Sequence, residues 1–232
     1  MEVVAAVAVL FGAIAQAVTG FGFSLVSAPF LVAAYGAPTG VQLNLLLSTA
    51  LNLLLLAGGR RHLDGRAAGR LLVPAVVATV VVGTLIRGSQ DDRLTVVAGL
   101  LCLVGVVAVA RGRSLRRITG VAGTIVVGAL SGAINVVAGI GGPPVVLFGT
   151  TAGWSPEVAR PTLQAFFLGI NVVGLATLGL PGELPLGLVA GGVVGLVLGQ
   201  VAARRLDAAQ VRTAVLVTAG AGSLLAVVRG LT

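Results

Sequence analysis

Two glycine-rich stretches interrupt long apolar runs and contain the residues best suited to contact a ligand. The first reads Thr19-Gly20-Phe21-Gly22-Phe23-Ser24, and the second reads Ala138-Gly139-Ile140-Gly141-Gly142-Pro143-Pro144. Glycine tolerates positive φ and proline cannot extend a helix, so each stretch is predicted to break the backbone. A helix that begins after a break presents free N–H groups and the positive end of its dipole, which together attract anions. Paired breaks in the two halves of a hydrophobic chain are typical of a transporter's binding site.

Ten residues at or near these breaks are the candidate substrate-binding residues. The helices after the breaks are expected to begin near Ser24 and near Pro144, and the glycines before them would let a ligand approach the backbone closely. Hydroxyl and amide side chains would add hydrogen-bond donors in apolar surroundings. The candidates are Thr19, Gly20, Gly22, Ser24, Asn52, Asn135, Gly139, Gly141, Gly142 and Asn171.

Each candidate also has a purely structural interpretation. Glycine in membrane helices often only allows close packing, and lone hydroxyls often bond their own helix backbone. Asn52 and Asn171 could line the substrate path or simply bridge helices. Pro143 and Pro144 lack N–H groups, which suits a first helical turn but removes two donors from the second break. Three further amides lie nearer predicted helix ends and are weaker candidates: Gln42, Asn44 and Gln164.

The composition places these stretches in a membrane. The chain has 232 residues, of which 57% are hydrophobic and 9% charged, with a mean hydropathy of +1.10. No charged residue lies between Glu2 and Arg60 or between Arg117 and Glu157, and these runs exceed the roughly 20 residues that one spanning helix needs. No segment alternates apolar and polar residues as a membrane β-strand does. We therefore predict an all-α polytopic membrane protein with a single transporter domain over residues 1–232.

The apolar segments fit either eight spans or ten helical segments. They fall at roughly 3–35, 38–58, 70–87, 93–111, 118–152, 157–179, 185–203 and 209–229. The first and fifth are too long for one span. If each of them crosses once, there are eight spans. If each folds back at its glycine break, there are ten segments, and the returning helices are short, about 10 to 13 residues at about 1.5 Å each.

The arginines favour the version with ten segments. The net charge is +8, every basic residue is Arg, and most of them lie in short clusters between apolar runs. This is the positive-inside pattern of cytoplasmic loops, whereas nucleic-acid binding would need a basic arm or basic residues among aromatic ones. With ten segments the loops at 87–93 and Glu183 lie outside and all three clusters are cytoplasmic. The clusters are Arg60, Arg61, Arg66 and Arg70; Arg111, Arg113, Arg116 and Arg117; and Arg204, Arg205 and Arg212.

A shift of 119 positions aligns the two halves. It pairs Gly20 with Gly139 and Gly22 with Gly141, and it also pairs residues that are rare in this chain. We predict two homologous repeats, over about residues 1–112 and 118–232, each with a glycine-broken first helix. Five segments per repeat would make the second repeat inverted across the membrane, and four would make the repeats parallel. The rare pairs are Tyr35 with Trp154, as aromatic interface anchors, and Asn52 with Asn171.

These features resemble the sulfite exporter TauE/SafE family. Its members carry a Gly-x-Gly-Gly-like signature with a downstream proline near the start of each half. The second break, Gly139-Ile140-Gly141-Gly142 followed by Pro143, matches closely, whereas the first has Phe23 in place of the last glycine, with Pro29 downstream. The resemblance covers essentially the whole chain. It implies a membrane transporter of small sulfur-containing or organic anions, such as sulfite, sulfonates or sulfoacetate.

The expected function is a carrier in the bacterial inner membrane, with a small anion and the lipid bilayer as its partners. It would work by alternating access at a midplane site between the paired breaks. No Asp, Glu, His, Arg or Lys lies well inside a predicted span, so coupling through a buried carboxylate is not expected. No catalytic constellation, phosphate loop or metal cluster indicates an enzyme or a cofactor. The alternatives are a non-transporting membrane scaffold or, less favoured, a membrane enzyme. Glycine-rich surfaces make a homodimer plausible.

Overall fold

A computed structural model describes residues 1–88, 92–112, 120–203, 205 and 208–231. Within these ranges the chain forms ten α-helices, one short 3₁₀ turn at Arg60–His62 and no strand, which confirms the all-α fold with ten helical segments. Five of the loop charges, Asp91, Arg113, Arg116, Arg117 and Arg204, lie outside the described residues, as does the predicted start of the second repeat. The helices are α1 (Glu2–Thr19), α2 (Phe23–Tyr35), α3 (Ala37–Gly59), α4 (Gly65–Ile86), α5 (Asp92–Arg111), α6 (Gly120–Ala138), α7 (Gly142–Thr151), α8 (Pro156–Leu178), α9 (Leu186–Ala202) and α10 (Ala208–Leu231).

Seven of the described helices are long and apolar enough to cross a membrane, namely α1, α3, α4, α5, α6, α8 and α10. Their outer faces carry apolar side chains that water would not tolerate in such numbers, for example Val73, Leu85 and Val121, which are 68%, 79% and 79% exposed. The protein is therefore a multi-pass membrane protein. The returning helices α2 and α7 have 13 and 10 residues, in agreement with the predicted short lengths.

Each glycine stretch ends one helix and begins a shorter one. Gly20 and Gly22 have φ of 84° and 120°, and Gly139 has φ of 73°, a region that other residues rarely adopt. The chain then folds back on the preceding helix, so that a Cβ built at Gly12 of α1 would lie 2.9 Å from the carbonyl oxygen of Phe23. The helices begin at Phe23 and Gly142, within two residues of the predicted starts.

The helix boundaries recur at the spacing of the sequence repeat. Both ends of α3 lie 119 residues before the corresponding ends of α8, and the other four helix pairs agree within a few residues. The packing also recurs, since α1 packs closely against α9 and α6 packs closely against α4. Glycines make both contacts possible, because a Cβ at Gly195 or at Gly132 would lie within 2.3 Å of a backbone oxygen on the facing helix. These observations are consistent with two homologous repeats, which remain a prediction.

Helices α3 and α8 run antiparallel through the middle of the bundle. At one end, Gln42 Nε2 donates to the carbonyl oxygen of Leu178 at 3.0 Å. At the other, the backbone N–H of Asp64 donates to Thr162 Oγ1 at 3.1 Å. We call these the Leu178 end and the Arg60 end, since the first arginine cluster begins at Arg60. Ser48, halfway along α3, marks the centre between them.

Candidate functional site

Six buried polar side chains form one hydrogen-bonded cluster at this centre. They come from α1, α3, α6 and α8, and each is at most 4% exposed. Burying an amide is unfavourable unless its hydrogen bonds are replaced, so a cluster of this kind depends on mutual pairing. We call it the central network, and its members are Gln16, Ser48, Asn52, Asn135, Gln164 and Asn171.

In the first half, Gln16 connects the break to α3 and α8. Its Oε1 accepts a hydrogen bond from the backbone N–H of Phe23, the first residue of α2, at 3.1 Å. Its Nε2 donates to Asn52 Oδ1 at 2.9 Å and to Gln164 Oε1 at 3.0 Å. One side chain thus fixes the first turn of α2 against two long helices.

In the second half, Asn135 has the same role. Its Oδ1 accepts from the backbone N–H of Gly141 at 3.1 Å, and its Nδ2 donates to Asn171 Oδ1 at 3.0 Å. Asn135 lies 119 positions after Gln16, and Asn171 lies 119 positions after Asn52. Each half therefore contains an amide pair in which one member holds the backbone of its own break.

The two amide pairs meet at a hydroxyl group. Ser48 Oγ accepts from Asn52 Nδ2 at 3.1 Å and from Asn171 Nδ2 at 3.0 Å. This single oxygen joins the first-half pair to the second-half pair. A continuous set of hydrogen bonds therefore connects the two breaks.

Each break is also held by the opposite half. Gln164 Nε2 of α8 donates to the carbonyl oxygen of Gly20 at 2.8 Å. Asn44 Nδ2 of α3 donates to the carbonyl oxygen of Gly139, the residue equivalent to Gly20, at 2.9 Å. These carbonyls belong to the last turns of α1 and α6, where helices leave acceptors unpaired. The halves therefore satisfy one another's broken backbone.

A small cavity of about 20 Å³ lies between the breaks, with room for about one water molecule. Its wall combines the first turns of α2 and α7 with amides, a hydroxyl and two phenyl rings, and no charged side chain. Such a lining offers neutral donors that do not titrate near pH 7. The residues lining this central cavity are Gln16, Phe21, Gly22, Ser24, Leu25, Ser48, Asn135, Ile140, Gly141, Gly142, Pro143, Phe167 and Asn171.

The structure brings most of the predicted site residues to this cavity. Six of the ten candidates line it: Gly22, Ser24, Asn135, Gly141, Gly142 and Asn171. Asn52 does not line the cavity but accepts a hydrogen bond from Gln16, which does. The carbonyl oxygens of Gly20 and Gly139 accept hydrogen bonds from amides of the other half. Thr19 does not line the cavity: the Oγ1 of Thr19 has the carbonyl oxygens of Ala15 and Phe21 as acceptors for its one O–H, and Thr19 borders a separate cavity.

Gly141 is required by space and not by backbone conformation. Its φ of −64° suits any residue, which differs from the positive φ expected at a break. A Cβ there would lie 2.7 Å from Ile170 Cδ1, 2.9 Å from Asn135 Cβ and 3.0 Å from the carbonyl oxygen of Ser131. Close packing of α6, α7 and α8 at this point leaves no room for a side chain.

Sequence reasoning missed several members of the site. Gln16 and Ser48 were not among the candidates, and Gln164 was a weaker one. Gln16 had a usable signal, because the shift of 119 pairs it with Asn135. Ser48 and Gln164 had none, since the same shift pairs them with Phe167 and Leu45. Among the described residues there is no group of three or more His, Cys, Asp or Glu side chains that could hold a metal ion.

Comparison with known proteins gives one match. The family model described as sulfite exporter TauE/SafE matches residues 4–225, nearly the whole chain and both breaks. Neither a curated protein nor a solved structure matches.

Proposed function

The chain belongs to the sulfite exporter TauE/SafE family, and from this premise we propose that it carries sulfite or a small organosulfonate across the bacterial inner membrane. The family match indicates a membrane anion exporter and not an enzyme. The proposal adds a substrate class, a binding site and a mechanism. The proposed site is the central cavity with the six predicted residues that line it. The residues bonded around it complete the site, namely Gly20, Asn52, Gly139, Gln16, Ser48 and Gln164.

The observation that carries the proposal is the paired arrangement of the central network. A buried amide is tolerated in an apolar membrane protein only where its hydrogen bonds are satisfied, and here the mutually bonded Gln16, Asn135 and Asn171 line a cavity between two broken helices. Broken helices at membrane depth are a known solution for binding ions without a charged partner. The arrangement therefore supports an anion site made of neutral donors.

Binding needs donors that can turn toward the ligand. Every amide nitrogen carries two N–H groups, and those of Gln16, Asn135 and Asn171 now donate within the network. The first turn of α2 adds backbone N–H groups near Ser24, at the positive end of its dipole. A cavity of about 20 Å³ is smaller than sulfite, so the described conformation is closed around the site. Substrate entry requires the halves to separate.

Cavities at both ends of the bundle support alternating access. At the Arg60 end a cavity of about 280 Å³ shares Gln16 with the central cavity. At the Leu178 end a cavity of about 160 Å³ is lined by Gln42, Val137 and Leu178. In this mechanism the two repeats, within one domain of residues 1–232, move against each other, so that the site opens to one end at a time. The proposed homodimer would be an assembly of two such transport units, each with its own site.

The test is uptake of labelled sulfite and of a small sulfonate into proteoliposomes. The wild type is compared with Asn171→Leu, which removes the bonds to Asn135 and Ser48, and with Ser223→Ala. Ser223 is the control, since it is a buried polar residue of α10 whose Oγ donates to the carbonyl oxygen of Ala219 in its own helix, outside the central network and the cavities described. We expect saturable flux in the wild type and in Ser223→Ala, and a loss of at least about tenfold in Asn171→Leu, equivalent to about 1.4 kcal/mol.

Two results would contradict this proposal. Absence of saturable flux for either anion, with the protein folded in the membrane, would favour the non-transporting scaffold. Normal flux in a folded Asn171→Leu variant would leave transport intact but move the site away from the central network.

A further inference from the structure

Arg160 stands beside the first break at the Arg60 end of the central network. Its Nη2 donates to the carbonyl oxygen of Val18 at 2.8 Å. Its side-chain stem covers Gly20, because a Cβ built there would lie 2.5 Å from Arg160 Cγ. The guanidinium carries five N–H donors and a charge that is permanent at any physiological pH. A fixed positive charge thus lies next to the broken end of α1.

Arg160 lines two cavities that adjoin the centre. One, of about 280 Å³, is also lined by Gln16, Gly20 and Gln164. The other, of about 260 Å³, is also lined by Phe21. Gln16 and Phe21 line the central cavity as well, so a single layer of side chains separates it from both. A cavity needs about 10–15 Å³ to hold one water molecule. Either cavity is many times larger and therefore has room for a small oxyanion.

The Leu178 end has a corresponding cavity with its own arginine. Arg87 lines the cavity of about 160 Å³ together with Gln42 and Val137. Val137, near the end of α6, lies 119 positions after Val18, near the end of α1. The cavity that contains Arg87 therefore adjoins the end of α6 that is equivalent to the end of α1 beside Arg160. The arginines themselves are not equivalent, since the position matching Arg160 is Val41. In each cavity the arginine is the one charged side chain among the described lining residues.

We propose that Arg160 and Arg87 are the anion-collecting residues of two entrances, one at each end of the central network. A fixed cation in a cavity with low-dielectric walls raises the local concentration of anions. The small oxyanion would be drawn to Arg160 or Arg87 and then passed to the neutral amides of the centre. This inference rests on the proposed function, and it adds the two entry sites and their chemistry.

A structural role for both arginines makes a different prediction. Cations near helix C-termini stabilise the last carbonyls, and Arg160 does so for α1 while Arg87 is the C-cap of α4. Capping by Arg160 depends on an N–H donor that reaches Val18. Anion collection depends on the positive charge alone. A group with a positive charge but no N–H donor therefore distinguishes anion collection from helix capping.

The experiment replaces Arg160 by cysteine and restores the charge chemically. Arg160→Cys is reconstituted in proteoliposomes and treated with a membrane-impermeant methanethiosulfonate reagent that adds either a trimethylammonium or a sulfonate group. The trimethylammonium group is positive but has no N–H donor. The native Cys102 is 1% exposed, so the treated wild type is the control. Arg87→Cys is the second variant, and thermal unfolding and Arg160→Lys check that a loss is not a failure to fold.

We expect Arg160→Cys to raise the apparent KM for the small sulfonate about tenfold, because a charged cavity raises the local concentration of anions by about 10–10³-fold. The sulfonate is used here because sulfite would cleave the mixed disulfide that the reagent forms. The cationic reagent should restore the KM, and the anionic reagent should not. In sided vesicles the reagent should act on Arg160→Cys from one face and on Arg87→Cys from the opposite face. The wild-type KM should rise with salt more steeply than that of Arg160→Cys.

Other results would overturn the inference. An unchanged KM in folded Arg160→Cys, or a raised KM that the cationic reagent does not restore, would leave Arg160 as a helix cap only. Reaction of both variants from the same face would contradict two opposed entrances. Absence of saturable wild-type flux is a different failure, because it would refute the proposed function and this inference with it.

Discussion

The two breaks occupy equivalent places in the two halves, but the backbone meets different demands at each. At the first, Gly20 and Gly22 both have positive φ, and a Cβ at Gly22 would meet nothing closer than Ala15 Cβ at 3.4 Å. At the second, Gly141 has an ordinary helical φ but no space for a Cβ. The two breaks thus differ at the equivalent glycines Gly22 and Gly141, the first required by its backbone conformation and the second by close packing, whereas Gly20 and Gly139 both have positive φ.

The breaks also differ in the donors that they offer. The first turn of α2 begins with Phe23, Ser24 and Leu25, all of which have N–H groups, and α2 packs against α1, α3 and α10. The first turn of α7 begins with Gly142 and two prolines, so the second break depends more on the side chains of Asn135 and Asn171. In the proposed site each half therefore has an amide pair, and the first half adds the backbone N–H groups of Ser24 and Leu25, for which the prolines of the second break have no counterpart.

The largest effect is expected from removing the amide that holds each break. Gln16→Leu leaves three partners unsatisfied, namely Phe23 N–H, Asn52 and Gln164, whereas Asn135→Leu leaves two. Each unpaired buried polar group costs about 1–3 kcal/mol. Both variants should lose sulfite flux, and Gln16→Leu should unfold at the lower temperature in detergent. Ser223→Ala, outside the central network and the cavities, should keep both properties close to wild type, and a more stable Gln16→Leu than Asn135→Leu would contradict this ranking.

A smaller effect is expected from filling the space at the second break. Gly141→Ala should lower stability by about 1–3 kcal/mol through overpacking and reduce flux. Ile170→Val removes Cδ1, the atom that a Cβ would meet at 2.7 Å, so the double variant should recover part of the loss. Thermal unfolding and flux of the two single variants and the double variant measure this coupling. Gly142→Ala is the control, because its Cβ would meet Phe167 Cζ at an ordinary 3.5 Å. Strictly additive losses in the double variant would refute the steric explanation.

The smallest of the three effects is expected from straining the first break. Gly22→Ala has room but an unfavourable φ of 120°, a strain of about 1–2 kcal/mol without overpacking. Gly153→Ala in the loop between α7 and α8 also has a positive φ, 71°, and no atom lies within 4 Å of the Cβ. Both should lose similar stability, but only Gly22→Ala should lose flux. Equal flux in the two variants would show that transport tolerates a change of backbone conformation at Gly22.

Hydropathy and glycine spacing predicted most of the fold. The segments at 38–58 and 157–179 agree closely with α3 and α8, and the breaks correctly divided the two longest segments. Helix α4 begins at Gly65 and not near residue 70, because Asp64 caps it by accepting from the N–H of Ala67 at 2.9 Å. The arginines at the start of α4 lower the local hydropathy, so a hydropathy criterion places the start of the helix too late in the chain. Hydropathy does not detect capping.

The site was less predictable, for a physical reason. Glycine breaks leave a signal in the sequence, whereas the partner of a buried amide depends on the helix that packs opposite. Ser48 becomes important only because Asn171 of α8 reaches it across the interface. Arg160 lies near the start of the segment predicted at 157–179, and nothing in the sequence around it indicates contact with Val18, which is 142 positions away.

The central claim is that paired amides between the breaks hold the anion. The most direct measurement is equilibrium binding of labelled sulfite to the purified protein in detergent, with wild type, Asn171→Leu and Ser223→Ala compared at one salt concentration. The account predicts saturable binding in wild type and Ser223→Ala and a Kd at least about tenfold higher in Asn171→Leu, or about 1.4 kcal/mol. Wild-type affinity in a folded Asn171→Leu variant would contradict it.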